Sequence, residues 1–206
     1  MVVCVAQIRQ PVWYQWLTLP LAFIFLNLVE YWGHRGPMHR RPGRNAWYLP
    51  LLRPVYRRHT LRHHRFFHRD AMAFENSRDF HAVLFPPVLV TFFLLVSVVP
   101  SGLAVTWIFG ANVGWLYAAM VFAYFLNYEL LHFAYHTRED SPLGRIPAMA
   151  RLRRRHTEHH DPSLMGSYNF NITYPLGDWL FGTLYQGQAG DRTEIPAASL
   201  TRQSNR

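Results

Sequence analysis

Three stretches of the chain stay apolar long enough to matter. The first runs roughly from Val12 to Trp32. At about 21 residues it is enough for one helical crossing of a ~30 Å hydrocarbon core. It lacks the charged start and small-residue cleavage site of a secretory leader, and Pro20 is a candidate kink. The second runs from Ala82 to Val99. Pro86 and Pro87 suit the first turn of a helix, and Pro100 with Gly102 suits its stop. The third, from about Leu103 to Tyr135, exceeds one span, with Gly110, Asn112 and Gly114 early in it. Its C-terminal part is expected to leave the lipid as a continuing helix. The pattern predicts an all-α integral membrane chain of about three spans. Residues 1–186 form one domain, followed by a polar tail, 187–206, rich in Gly, Ser, Thr, Gln and Arg and expected to be loosely ordered.

Charge fixes the expected orientation. The 21 basic residues are all Arg, and the formal net charge is +9. Eleven of these arginines fall within 33–81 and nine follow residue 135, whereas only Arg9 precedes the first span and none lies at 100–102. The positive-inside rule places 33–81 and the C-terminal third in the cytoplasm. Nucleic-acid binding is the other reading of such charge, but arginines lying between spans read as cytoplasmic loops, so no nucleic-acid partner is expected. A mean hydropathy near zero is the average of these two segregated populations. One cysteine, Cys4, rules out a disulfide framework or a cysteine-built metal site.

The chemistry lies in the histidines. Ten of the twelve fall into four groups: His34 and His39; His59, His63 and His64; His132 and His136; His156, His159 and His160. The topology puts all four on one side of the membrane, which a wrong span count would have split. Glu30 and His34 share a helix face, and Gly36 with Pro37 is expected to break the helix so that His39 turns back. His59 and His63 stack one turn apart, with His64 about 100° around. Spacings of four in His132–His136, and of three and four in the last group, put those imidazoles on single helix faces.

Neutral imidazole is a strong ligand for first-row transition metals. Two ions with few carboxylates need roughly eight to ten ligands, and the groups supply ten. A lone histidine on an apolar face is ordinarily a satisfied core residue; four clusters on one side are not. His68 and His81 stand alone and are read as surface residues or supports behind the ligands. Glu30 and Glu129 either touch the site or cap and pair with nearby Arg. Tyr124 and Tyr128 continue the His132–His136 stripe, as an interfacial aromatic belt or, for Tyr128, as a donor beside His132.

In this order, HxxxxH, HxxxHH, HxxxH and HxxHH, the groups resemble those of the fatty-acid hydroxylase and sterol desaturase superfamily. Tyr31-Trp-Gly-His34-Arg resembles its first box. Tyr168-Asn169-Phe170 with Pro175-Leu-Gly-Asp178-Trp-Leu-Phe181-Gly182-Thr183 resembles the segment after its last box. The resemblance covers about 27–185 and implies a helical membrane fold with a cytosolic cap holding a di-metal centre. Its ligands would be His34, His39, His59, His63, His64, His132, His136, His156, His159 and His160. Many relatives have one residue fewer in the second box, so His68 is an alternative to His59. Tyr128, Asp161 and Asn169 are expected to support the ligands from behind.

The resemblance implies an oxidoreductase with two iron ions, zinc being possible in purified protein. It would use O₂ and two electrons to hydroxylate or desaturate a fatty-acyl, sphingolipid, sterol or carotenoid C–H bond. No fused cytochrome b5-like domain is expected, so a separate ferredoxin or cytochrome b5-type protein is expected to donate electrons. The setting is a bacterial inner membrane or an ER-type membrane. Trp32, Phe133 and Tyr135 are candidates for a lateral lipid tunnel. A metal transporter would ligate near mid-membrane, a b-type haem protein would need paired axial histidines within a bundle, and a zinc hydrolase would use fewer histidines and a catalytic carboxylate.

Overall fold

The structure, a computed structural model, describes residues 1–41, 43 and 49–187. The polar tail expected from 187 onward lies, past Gly187, outside the described residues. The regular elements among them are helices, and the single β-bridge joins His68 to Ala71. A short helix α1 (Val2–Ala6) and a 3₁₀ turn (Trp13–Leu17) lead into α2 (Thr18–Gly33), which widens into a π turn at His34–Met38. Then come α3 (Leu49–Arg58), a second π turn (His59–His63), α4 (His64–Phe66) and α5 (Phe80–Val83). A long rod follows: α6 (Pro87–Phe93), a π turn (Leu94–Val98) and α7 (Val99–Phe109). It folds back on α8 (Ala111–Tyr135), and α9 (Pro147–His159) and α10 (Leu176–Leu180) complete the chain.

The expected stop at Pro100 and Gly102 does not occur. The helix continues to Phe109 and reverses at Gly110, whose φ of +91° favours a residue without a Cβ. Proline inside a helix removes an N–H and crowds the carbonyl four residues back. Here the π turn precedes Pro100, and the Ser101 hydroxyl donates to the Ser97 carbonyl at 2.7 Å. The third apolar run is therefore divided: its first part completes the second helix, and α8 begins after the turn.

Among the described residues two helical stretches, Trp13–Met38 and Ser77–Phe109, are long and apolar enough to cross a membrane. The expected third span, α8, has the length, but Asn112, Asn127, Glu129 and His132 dilute its apolarity. Apolar side chains such as Leu21, Phe25, Leu95, Leu103 and Trp107 are turned outward, the face a lipid-exposed bundle presents. Ala22, Tyr117 and Val121 pack between α2 and α8, with Val98 and Val105 closing on them from the rod.

Gly114 sets how closely α7 and α8 approach. A Cβ there would lie 1.9 Å from Thr106 Oγ1 and 2.9 Å from its Cβ. Gly114→Ala is expected to force the hairpin apart at a cost of about 1–3 kcal/mol, read as a lowered thermal midpoint in detergent. An unchanged midpoint would mean the two helices are not packed this way.

The bundle has two distinct ends. Asn112 pairs with the Arg9 backbone in both directions, at 2.8 and 3.0 Å, and with Gln15 at 3.1 Å. The starts of α2 and α8 therefore lie together, and both helices run to the end where His34, His132 and His136 sit. The segments 49–67 and 147–185 bring the remaining clustered histidines to that end.

Candidate metal centre

The π turns decide the first half of the site. Closing i→i+5 rather than i→i+4 brings residues five apart onto one face. His34 and His39 are five apart, as are His59 and His64, and each pair spans such a turn. The helix does not break at Gly36-Pro37 as expected; it widens. The extra residue in the second group is absorbed in the same way, so His59 enters the cluster while His68 stays exposed in its turn. His136, His156 and His160 come from ordinary α-helical spacing at the ends of α8 and α9.

Two groups of ligand atoms result. His34, His39, His59, His64 and His159 each offer a nitrogen within 4.8 Å of the others; so do His63, His136, His156 and His160. His132 adjoins the second group, its Nε2 3.1 Å from that of His63. All ten expected histidines are thus brought together. The neighbours His63 and His64 step from one group to the other, and His64 stacks on His160 at 4.2 Å. Nine of the ten are buried and His39 is half-buried.

The hydrogen bonds fix which nitrogen is free. His34, His63, His136, His159 and His160 each point Nδ1 at a backbone carbonyl: those of Phe170, Ala82, Met72, Tyr168 and Phe67. A carbonyl only accepts, so each Nδ1 carries hydrogen, and each neutral ring presents a bare lone pair at Nε2. These Nε2 atoms converge. His136 lies 3.0 Å from His156, His160 lies 3.1 Å from His156, and His159 lies 2.9 Å from His39, which is itself 3.0 Å from His34. Each of these contacts has His39 or His156 on one side, and no carbonyl fixes the tautomer of either, so a neutral ring there either donates from Nε2 or turns a lone pair toward a shared cation. The charged imidazolium form is disfavoured. Burial first, and neighbouring imidazoles second, hold His39, His59, His64, His156 and His160 well below the ordinary histidine range, and burial brings His159 down to about 4. A donor set of neutral, orientated, converging nitrogens fits metal ions.

The supporting residues differ from those expected. Asp161 pairs with Arg69 at 2.9 Å and accepts from Ser163; Asn169 bonds to the Arg155 carbonyl, Glu158 and the Tyr185 N–H. Neither makes one of the ring-nitrogen bonds above, a task done by backbone carbonyls. Tyr128 is buried beside His132, ring centres 5.7 Å apart, and its hydroxyl has no hydrogen-bond partner among the described residues. Glu30 is a fastener: its carboxylate accepts from the Ile172 and Thr173 N–H groups and from the Thr173 and Tyr124 hydroxyls. Glu129 accepts from the Phe85 N–H at 3.1 Å. Of the tunnel candidates, Trp32 is exposed, Phe133 packs on Phe74 and Phe80, and buried Tyr135 donates to the Ile172 carbonyl.

Sequence reasoning missed a polar clasp. Asp178 accepts from the N–H groups of Phe170 and Asn171 at 2.8 and 2.7 Å and from the Thr183 hydroxyl at 2.7 Å. Asn27 donates to the Tyr174 carbonyl and accepts from the Gly177 N–H. This holds segment 168–183 against α2 and aims the carbonyls of Tyr168 and Phe170 at His159 and His34. The Asn169 to Asp178 run was legible as a motif, though not its task.

Neither the curated proteins nor the solved structures give a significant match. A family model described as fatty acid hydroxylase matches residues 19–183, which includes every histidine of the two groups and the clasp up to Thr183. Members are membrane-associated, metal-dependent lipid oxidoreductases, in keeping with two apolar spanning helices and two imidazole groups. The chain belongs to the fatty acid hydroxylase family.

Proposed function

We propose that this protein is a membrane-embedded di-iron oxygenase that inserts oxygen into a lipid C–H bond, with desaturation as the alternative outcome. The observation that carries the reading is the pair of adjoining, neutral imidazole groups, one per ion, linked by His63 and His64. His34, His39, His59, His64 and His159 would hold one ion; His63, His136, His156 and His160, with His132 alongside, would hold the other. When bound, iron would supply the redox capacity to activate dioxygen and attack an unactivated C–H bond. Hydroxylation balances as R–H + O₂ + 2e⁻ + 2H⁺ giving R–OH + H₂O. The electrons would come from a separate ferredoxin or cytochrome b5-type donor.

The chain's own contribution is positional. Backbone carbonyls fix the tautomers of five rings, burial excludes water, and the surrounding helices would confine one lipid carbon near the metals. The arginine distribution supports an orientation with the cap in the cytoplasm, α8 as a third span and the N-terminus outside. The histidines sit at one end of the bundle, which disfavours a transporter. Glu30 is committed to the clasp, which disfavours a zinc hydrolase.

The test is reaction of anaerobically purified, iron-loaded protein with reductant, bilayer lipids and ¹⁸O₂. A lipid product carrying one ¹⁸O atom is expected. Iron-replete protein that yields neither labelled lipid nor a new double bond would overturn the reading.

Acid should undo the site. These histidines have folded pKa values depressed below the unfolded value of about 6.5. They favour the folded state fully above pH 6.5, and that contribution is lost as pH falls, for His159 between about 6.5 and 4. Metal release to a chromogenic chelator is expected to rise steeply below pH 6, because protons and metal compete for the same nitrogens. Release independent of pH from 7.5 to 5 would argue against imidazole ligation.

A further inference from the structure

The segment that carries α10 is almost without charge. Residues 138–161 hold ten charged side chains; residues 162–187 hold one, Asp178. That one is turned inward, its carboxylate taken by the Phe170 and Asn171 N–H groups and the Thr183 hydroxyl. Turned outward instead are Trp179, 70% exposed, and Leu180, 54% exposed, with Phe181 next to them. Large side chains in a contiguous apolar patch mark a surface that meets something other than water.

This patch joins a face that is already turned to lipid. Phe25, Val29 and Trp32 recur at intervals of four and three along α2, and all three are exposed. They lie in the stretch Trp13–Met38, which is long and apolar enough to span a membrane. In the last turn of α2, Phe181 packs against Trp32 with ring centres 5.1 Å apart and stacks on Tyr31 at 4.9 Å. Gly177 lets α10 lie this close: a Cβ there would fall 2.8 Å from the Tyr31 Cβ and Cγ. Arg35 comes three residues after Trp32, its guanidinium 5.7 Å from the centre of that ring. Tryptophan beside arginine at the end of a span marks the boundary between hydrocarbon and head groups. α10 therefore stands level with that boundary.

We propose that α10 is seated in the membrane: Trp179, Leu180 and Phe181 enter the leaflet at that end of the bundle and anchor the clasp in the bilayer. The partner of the patch is lipid, because the patch continues the outer face of a spanning helix and lacks the charge found on residues 138–161. Segments that lie in the interface bury their apolar face by about 5–10 Å. The seat bears on the site. The segment it fastens also aims the Tyr168 and Phe170 carbonyls at His159 and His34. The bilayer thus helps to hold two imidazoles of the first group in place.

The experiment is spin labelling of the full-length protein in phosphatidylcholine vesicles, in a Cys4→Ala background. Single labels go at Leu180→Cys, at Phe25→Cys as the lipid reference and at Arg151→Cys as the water reference, all three being exposed positions. Collision rates are measured with oxygen, which concentrates in lipid, and with a water-soluble nickel chelate. The oxygen-to-nickel ratio at 180 is expected to exceed that at 151 about fivefold or more, as entry to interfacial depth requires. A ratio equal to that at 151 would mean that the patch faces water or a soluble partner, and overturns the proposal. Low collision with both reagents would mean that protein covers the patch, whether a second copy or residues beyond 187, and overturns it too. Trp179→Phe gives a second reading without a label. Brominated phosphatidylcholine should quench the emission that this substitution removes. If the Leu180→Cys protein does not fold, that reading decides alone, and Trp179 emission left unquenched overturns the proposal.

Discussion

Alanine at His136 is expected to remove one of two metal ions per chain and to lower turnover about 100-fold or more, beyond the 10–100-fold typical of losing a partner behind a metal ligand. His136 donates Nδ1–H to the Met72 carbonyl at 2.8 Å and presents Nε2 3.0 Å from that of His156. Its loss leaves the second group short while the five histidines of the first stay intact. Alanine at His39 should do the converse, because its Nε2 stands 3.0 Å from His34 and 2.9 Å from His159. The pair of variants distinguishes two sites from one. Each should retain a single ion by elemental analysis, and each should lose activity, because the chemistry needs both. His68→Ala, in an exposed turn, is the control and should keep both ions. Full metal content in either cluster variant would refute this division of ligands.

Alanine at Asp178 is expected to destabilise the protein by about 3 kcal/mol or more, since two buried N–H groups lose their acceptor at ~1–3 kcal/mol each. Asp178 is 1% exposed, and water cannot replace its oxygens. The orphaned groups belong to Phe170 and Asn171, and the Phe170 carbonyl holds the His34 ring. Metal should therefore be lost from the first group before the second. Asp178→Asn keeps one acceptor oxygen but turns an NH₂ toward a backbone donor, so it should fall between. Thermal unfolding in detergent with metal analysis before heating reads both effects. An alanine variant that melts like the unsubstituted protein and carries full metal would show that the clasp does not support the site.

Much of the site was legible because its ligands are histidines, and histidine is rare enough for clustering to be a signal. The division of the ten into two groups was not legible. Adjacent residues His63 and His64 point to different groups, and box membership gives no hint of this. The supports behind the ligands were also hidden. Asp161 and Asn169 were reasonable candidates by residue type, but backbone carbonyls carry no residue identity, and nothing in the letters Phe67, Met72, Ala82 or Phe170 marks them as ring acceptors.

The same holds for the helices. Apolar runs located the rods, since burial in lipid requires length and hydrophobicity alone. The turn went to Gly110 rather than Pro100 because Pro100 follows a π turn and falls in the first turn of α7, where its missing N–H costs least, a placement that residue preferences do not register. The three π turns arise likewise, and two of them set residues five apart on one face where α-helical counting would separate them. The sequence alone determined the helical class, the family and the ten clustered histidines, because those follow from composition, period and residue type. Only the tertiary structure decided which histidines gather into each group and which carbonyls orient five of the rings, because those depend on backbone groups and contacts between residues far apart in the chain.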